Sequence, residues 1–196
     1  MKKNYLKIHP LSILFLLIAF FTGYFKYVIY LMSLIFIHEL GHVTAGVLCN
    51  WKINRIVILP FGGMTIFEEK LNRPIKEELF IVLLGPIYQI LFYHLLILLG
   101  FKTDLLQSIH LFLLIFNLLP IYPLDGAKIC LLFCQMICSY YKSQVYIVLI
   151  SIFFLLFYIC FYHDFLYYII FFFFLYEVFI FYKKKNTYFF KFILER

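Results

Sequence analysis

His38-Glu39-Leu40-Gly41-His42 places two imidazoles and a carboxylate inside a stretch that is otherwise apolar from about Tyr27 to Cys49. Residues four apart share a helical face, so His38 and His42 can both reach one metal ion. Glu39 lies about 100° round the helix axis, where it can approach a metal-bound water without ligating the metal. The chemistry such a pattern serves is zinc-assisted hydrolysis: the ion lowers the water's pKa, and the carboxylate takes its proton as hydroxide attacks a carbonyl. Ionisable side chains within a membrane-length apolar run cost roughly 2.5–3.5 kcal/mol each and usually mark function. Gly41 removes a side chain between the histidines and leaves room for a second backbone.

Catalytic zinc keeps three protein ligands and one open position. Glu68, Glu69, Glu77 and Glu78 stand in a polar segment among basic residues and read as a solvated surface; Asp104 and Asp164 fall in turns; Glu177 is close enough to Lys183 to pair at the membrane interface. Asp125 differs, because it follows Asn117-Leu118-Leu119-Pro120-Ile121-Tyr122-Pro123-Leu124 and precedes Gly126. Pro120 and Pro123 must break a helix there and free backbone carbonyls, and non-helical backbone at membrane depth is tolerated only around protein-lined or wet cavities. His42 precedes the helix end near Cys49 by about 10 Å, and a helix from Leu105 to Leu119 rises about 22 Å of a roughly 30 Å core, so the two reach similar depths. The expected ligands of one Zn2+ are therefore His38, His42 and Asp125, with Glu39 as base. Asn117 and the freed carbonyls are expected to orient a substrate peptide or stabilise an oxyanion.

These residues need a scaffold built for lipid. The chain has 196 residues, 65% apolar and 14% charged, with mean hydropathy +0.98, whereas a soluble domain is roughly half apolar and a quarter charged. A chain this short cannot hide that much apolar surface from water, which excludes a soluble globular domain, a disulfide-rich secreted domain and a disordered chain. Apolar runs predict about six transmembrane helices: Leu11–Phe25, Tyr27–Cys49, Leu79–Leu99, Leu105–Leu119, Val145–Phe161 and Phe165–Tyr182. The expected fold is an all-α polytopic membrane protein forming a single domain over 1–196.

Fifteen of the seventeen Lys and Arg fall on one side of such a six-span chain, leaving only Lys26 and Lys102 opposite. The positive-inside rule then puts both termini, and the 50–78 and 120–144 segments, in the cytoplasm. The net charge of +7 is accounted for by this topology, and no nucleic-acid partner is expected. Five cysteines without a CxxC pair suggest neither a disulfide framework nor a zinc ribbon; Cys130, Cys134 and Cys138 share one helical face as packing residues. Between the second and third spans, Lys52 to Phe67 alternates partly apolar and polar. This predicts a short membrane-associated β-hairpin turning at Gly62–Gly63. His9, His94, His110 and His163 receive no role, although His94 could hydrogen-bond Gln89 or the neighbours of Tyr93.

An intramembrane HELGH followed about eighty residues later by Asn117-x-x-Pro120-x-x-Pro123-Leu124-Asp125-Gly126 resembles the site-2 protease family of intramembrane zinc metalloproteases, peptidase family M50, and most nearly its sporulation branch. Leu59-Pro60-Phe61-Gly62-Gly63, Gly85-Pro86 and Phe192-Ile193-Leu194-Glu195-Arg196 extend the resemblance over nearly the whole chain. It implies His38, His42 and Asp125 as zinc ligands, Glu39 as the catalytic glutamate, and Asn117, Pro120 and Pro123 as a substrate-contact loop. It also implies a hairpin at Gly62 and Gly63 that holds substrate as an added strand, because a helical peptide bond must be unwound before hydrolysis. The implied substrate is a membrane-associated protein, the pro-sigma-K precursor, processed in the mother-cell membrane around the forespore with membrane-embedded regulatory proteins as partners. Sporulation members usually carry a C-terminal CBS domain, which is not expected within 1–196, and Gln89 stands where many members have Asn. Two other readings compete: a membrane zincin of the prenyl-protein or heat-shock type, which takes a downstream Glu as third ligand, and a non-enzymatic metal transporter or scaffold.

Overall fold

The computed structural model describes residues 6–8, 10–59, 62–68, 74–161, 168 and 171–183. Its elements in chain order are β1 (Leu6–Ile8), α1 (Pro10–Phe21), α2 (Phe25–Leu48), β2 (Ile53–Leu59), β3 (Gly62–Phe67), α3 (Ile75–Leu98), α4 (Asp104–Leu118), α5 (Asp125–Ile137) and α6 (Tyr140–Phe161). Further helical backbone runs over 171–183.

Three described helices are long and apolar enough to cross a membrane: Phe25–Leu48, Ile75–Leu98 and, within α6, Tyr140–Phe157. At 1.5 Å per residue the first two extend about 36 Å, beyond a roughly 30 Å hydrocarbon core. The expected first and fourth spans form only the shorter helices α1, of 12 residues, and α4, of 15. The causes are local: Gly23 turns the chain after α1 at φ 80°, and Pro120 ends α4. The expected sixth span falls partly outside the described residues. Phe80, Leu83, Ile87, Leu91 and Leu95 stand exposed along α3, an apolar face suited to lipid and not to water.

The chain folds as two compact units, Met1–Phe116 and Asn117–Arg196. In the first unit the inward face of α2 repeats every three or four residues through Val28, Leu31, Ile35, His38, His42 and Ala45, all buried. Leu31, Leu34 and Ile35 form a core with Leu106, Ile109 and Leu113 of α4, against which Phe92, Tyr93 and Leu96 of α3 pack. Gly41 brings α2 and α3 together: a Cβ there would collide with the Leu84 carbonyl and sit 2.9 Å from Gly85 Cα. The end of α2 is a Schellman motif, with Trp51 N–H donating to Gly46 O at 2.8 Å, Asn50 N–H to Val47 O at 3.0 Å, and Asn50 at φ 55°. That stop releases the chain into β2.

The sheet has three strands in the order β1-β2-β3, with β1 parallel to β2 and β2 antiparallel to β3. Two expectations are corrected here. A third strand, β1, joins the hairpin, and the turn is not at Gly62–Gly63, because Gly62 pairs with Leu59 and Gly63 with Ile58. The connection passes through Pro60 and Phe61, outside the described residues.

In the second unit, α5 packs with α6 beside the helix break that the prolines impose. Non-helical backbone holds from 119 to 124, and Ser151 of α6, fully buried, secures it. Tyr122 N–H donates to Ser151 Oγ at 3.1 Å, and the Ser151 hydroxyl donates to Pro120 O at 3.3 Å. Leu124 N–H donates to Ile121 O at 2.9 Å. Gly126 lets the break fold back on α5, since a Cβ there would collide with the Leu118 and Leu119 carbonyls.

Candidate active site

His38 and His42 lie on the stripe of α2 that faces α3, and both are buried. Each ring is held from behind. His42 Nδ1 donates to the Ile81 carbonyl at 2.8 Å, and His38 Nδ1 lies 3.2 Å from Gln89 Oε1. Pro86 cannot donate to the helix ladder, so it leaves the Val82 carbonyl one turn back without its helical donor; the neighbouring Ile81 carbonyl is the one that accepts from His42. With both Nδ1 atoms facing oxygen acceptors, each imidazole carries its proton there and presents a bare Nε2. The two Nε2 atoms face one another at 3.1 Å. Two lone pairs at that distance repel unless a cation lies between them, and nitrogens about 2.05 Å from a tetrahedral zinc ion stand about 3.3 Å apart. The pair therefore fits a zinc ion. Gly85 makes the fit possible, because a Cβ there would run into His42 Cε1 and stand 3.0 Å from His38 Nε2.

Glu39 is also buried, and strand β3 lies over it. The Thr65 hydroxyl donates to Glu39 Oε2 at 2.7 Å. At Gly63 a Cβ would collide with Glu39 Cγ and lie 2.8 Å from Oε1. Thr65 thus holds one carboxylate oxygen while the bare glycine leaves space beside the other. Further along, Phe67 rests where a side chain at Gly46 would be and meets the Trp51 ring edge-on at 5.5 Å. The Trp51 indole N–H donates to Glu77 Oε2 at 2.8 Å, so Glu77 anchors the sheet to α3 instead of standing as a solvated surface charge.

Asp125 belongs to the second unit. It is the first residue of α5, where helix N–H groups favour a carboxylate, and it is buried with Oδ1 3.3 Å from Lys128 Nζ. Asn117, half-buried, is the penultimate residue of α4; Pro120 and Pro123 flank the irregular backbone.

A model of peptidase family M50 matches residues 26–105 and 102–159, well over half of the chain. The chain belongs to peptidase family M50. It is 35% identical over 129 residues to stage IV sporulation protein FB of Bacillus subtilis, covering 62% of this chain and 45% of that protein. It is 30% identical over 103 residues to zinc metalloprotease MJ0392 of Methanocaldococcus jannaschii, covering 47% of this chain and 30% of that protein. The chain thus spans less than half the length of these curated relatives. Its fold is similar to that of the site-2 protease from Methanocaldococcus jannaschii, with a TM-score of 0.65 and 23% identity over 91% of this chain and 90% of that one. The M50 match encloses HELGH, Gly85-Pro86 and Asp125 together.

Some of this M50 site was not visible in the sequence. Thr65 carries a signal only in retrospect, as a polar residue on an alternating strand. His94 does not reach Gln89 but bonds Ile90 O at 2.8 Å; Gln89 turns instead to His38 and His110. His110 also stacks flat on Tyr93, with centroids 4.0 Å apart. Cys130, Cys134 and Cys138 are free cysteines and half-buried.

Proposed function

We propose that this M50 peptidase is a zinc-dependent intramembrane endopeptidase that cuts a membrane-associated protein near the cytoplasmic face. The observation that carries the reading is the pair of Nε2 atoms at 3.1 Å on one helix face, beside a buried carboxylate. His38 and His42 hold one zinc ion and Asp125 supplies the third ligand; all three are buried and have the donor chemistry for such an ion. When bound, the ion acidifies a water molecule and polarises the scissile carbonyl.

The chain's own groups then do the rest. Glu39 Oε1 accepts the water proton as the oxygen attacks the carbonyl carbon, and returns it to the leaving amine nitrogen as the C–N bond breaks. Thr65 keeps Glu39 Oε2 from turning away. A substrate must present extended backbone, and β3 ends the described sheet beside Glu39, so it offers its outer edge as a template for an added strand at Gly62 and Gly63. Asn117 and the backbone around Pro120 and Pro123 are the groups that contact the substrate in the second unit's own sequence.

Both termini lie in the cytoplasm, supported by the charge asymmetry of the loops. The sporulation relative supports pro-sigma-K as substrate, processed in the mother-cell membrane around the forespore. The test is co-expression of that precursor with wild type and Glu39→Gln. The variant retains zinc and loses cleavage; undiminished cleavage overturns the mechanism.

A further inference from the structure

Gln89 is wholly buried in α3, one turn beyond Gly85. A primary amide inside a lipid-bound helix is costly unless both of its ends are bonded. Its Nε2 donates to the His110 carbonyl of α4 at 3.1 Å and lies 3.4 Å from His110 Nδ1. A backbone carbonyl can only accept, so the amide cannot turn over, and Oε1 must be the end that faces His38 Nδ1 at 3.2 Å. The stacking of His110 on Tyr93, at 4.0 Å and 2° between planes, fixes the far end.

We infer that Gln89 is a positioning residue for the metal site: anchored on α4 through His110, its amide oxygen holds His38 in the Nδ1–H form and aims the Nε2 lone pair at the ion. Glutamine is needed because it spans two helices, accepting from α2 and donating to α4. A hydrogen-bond acceptor behind an imidazole ligand raises its basicity and fixes its plane, and removing such partners typically costs 10–100-fold in metal affinity. Asparagine, one methylene shorter, cannot reach both partners.

The inference rests on the zinc reading above, and wild type serves to separate the two. Zinc affinity is measured on the full chain in detergent by competition with a chromophoric chelator, for wild type, Gln89→Leu, Gln89→Asn and Gln89→Glu. The visible spectrum of the cobalt(II) forms reports ligand geometry independently of activity. Gln89→Leu is expected to bind zinc about 10–100-fold more weakly than wild type and to alter the cobalt spectrum. Gln89→Glu, which restores an acceptor to His38, is expected to bind more tightly than Gln89→Leu. Should Gln89→Leu fail to fold, Gln89→Asn replaces it with the same expectation of weakened binding. Wild-type zinc affinity in the leucine variant, or in the asparagine variant where leucine does not fold, overturns the proposal, even if thermal stability of the metal-free protein falls. A glutamate variant no tighter than the leucine variant overturns it also. If wild type itself binds no zinc, the zinc reading fails instead.

Discussion

Gly63→Ala adds one methyl group at the point where strand β3 crosses the general base. The new Cβ would stand 2.6 Å from Glu39 Cδ, whereas ordinary contact begins at 3.4 Å. More than about 0.8 Å must therefore be found by moving the strand or the carboxylate, because Glu39 Cγ is nearer still, and the partner is a short side chain already tied to Thr65. A misplacement near 1 Å at a reacting group costs on the order of 10²-fold in rate, equivalent to about 2.7 kcal/mol of barrier. The three atoms nearest this methyl all belong to Glu39, so zinc content should be unchanged. The assay is cleavage of a co-expressed membrane-associated substrate, with zinc measured on the purified variant. Cleavage reduced about 100-fold with zinc retained is expected; wild-type cleavage would refute the placement of β3 over Glu39.

Gly85→Ala puts a methyl against both histidine rings and should abolish zinc binding itself, read by metal analysis of the purified chain. Asp125→Ala removes a proposed ligand and should lower zinc affinity by orders of magnitude; retention of zinc would favour the zincin reading, in which a downstream Glu ligates. Ser151→Ala leaves the Tyr122 N–H without its partner at the helix break and should cost about 1–3 kcal/mol, seen as a lower melting temperature in detergent. Trp51→Phe deletes the donor to Glu77 and should destabilise by about 1 kcal/mol while preserving zinc.

The metal half of the site was legible because polar residues in apolar runs have few explanations. His38, Glu39 and His42 announce themselves by type and by a spacing of three and four residues, and Pro120 and Pro123 predict the helix break whatever surrounds them. The missing parts all depend on pairing between distant segments. Strand β1 is three residues long and parallel to β2, so no local pattern marks it. The glycine pair in β3 looked like a turn because glycine serves turns most often; Gly63 instead serves the space beside Glu39. Gln89, His110, Thr65 and Ser151 are polar residues whose partners lie 21 to 51 positions away in sequence. Helix length was less legible than helix position: α1 and α4 sit where their apolar runs predict but stop at 12 and 15 residues, since an apolar run records hydrophobicity and not helical length.

The central claim is that zinc held on α2 enables peptide hydrolysis at Glu39. Its most direct test is cleavage of a membrane-associated substrate by the purified full chain, stripped with a chelator and then titrated with zinc. No cleavage is expected in the metal-free protein, with recovery that saturates at one zinc per chain in wild type but never in Glu39→Gln. Cleavage that persists in the metal-free chain would contradict it.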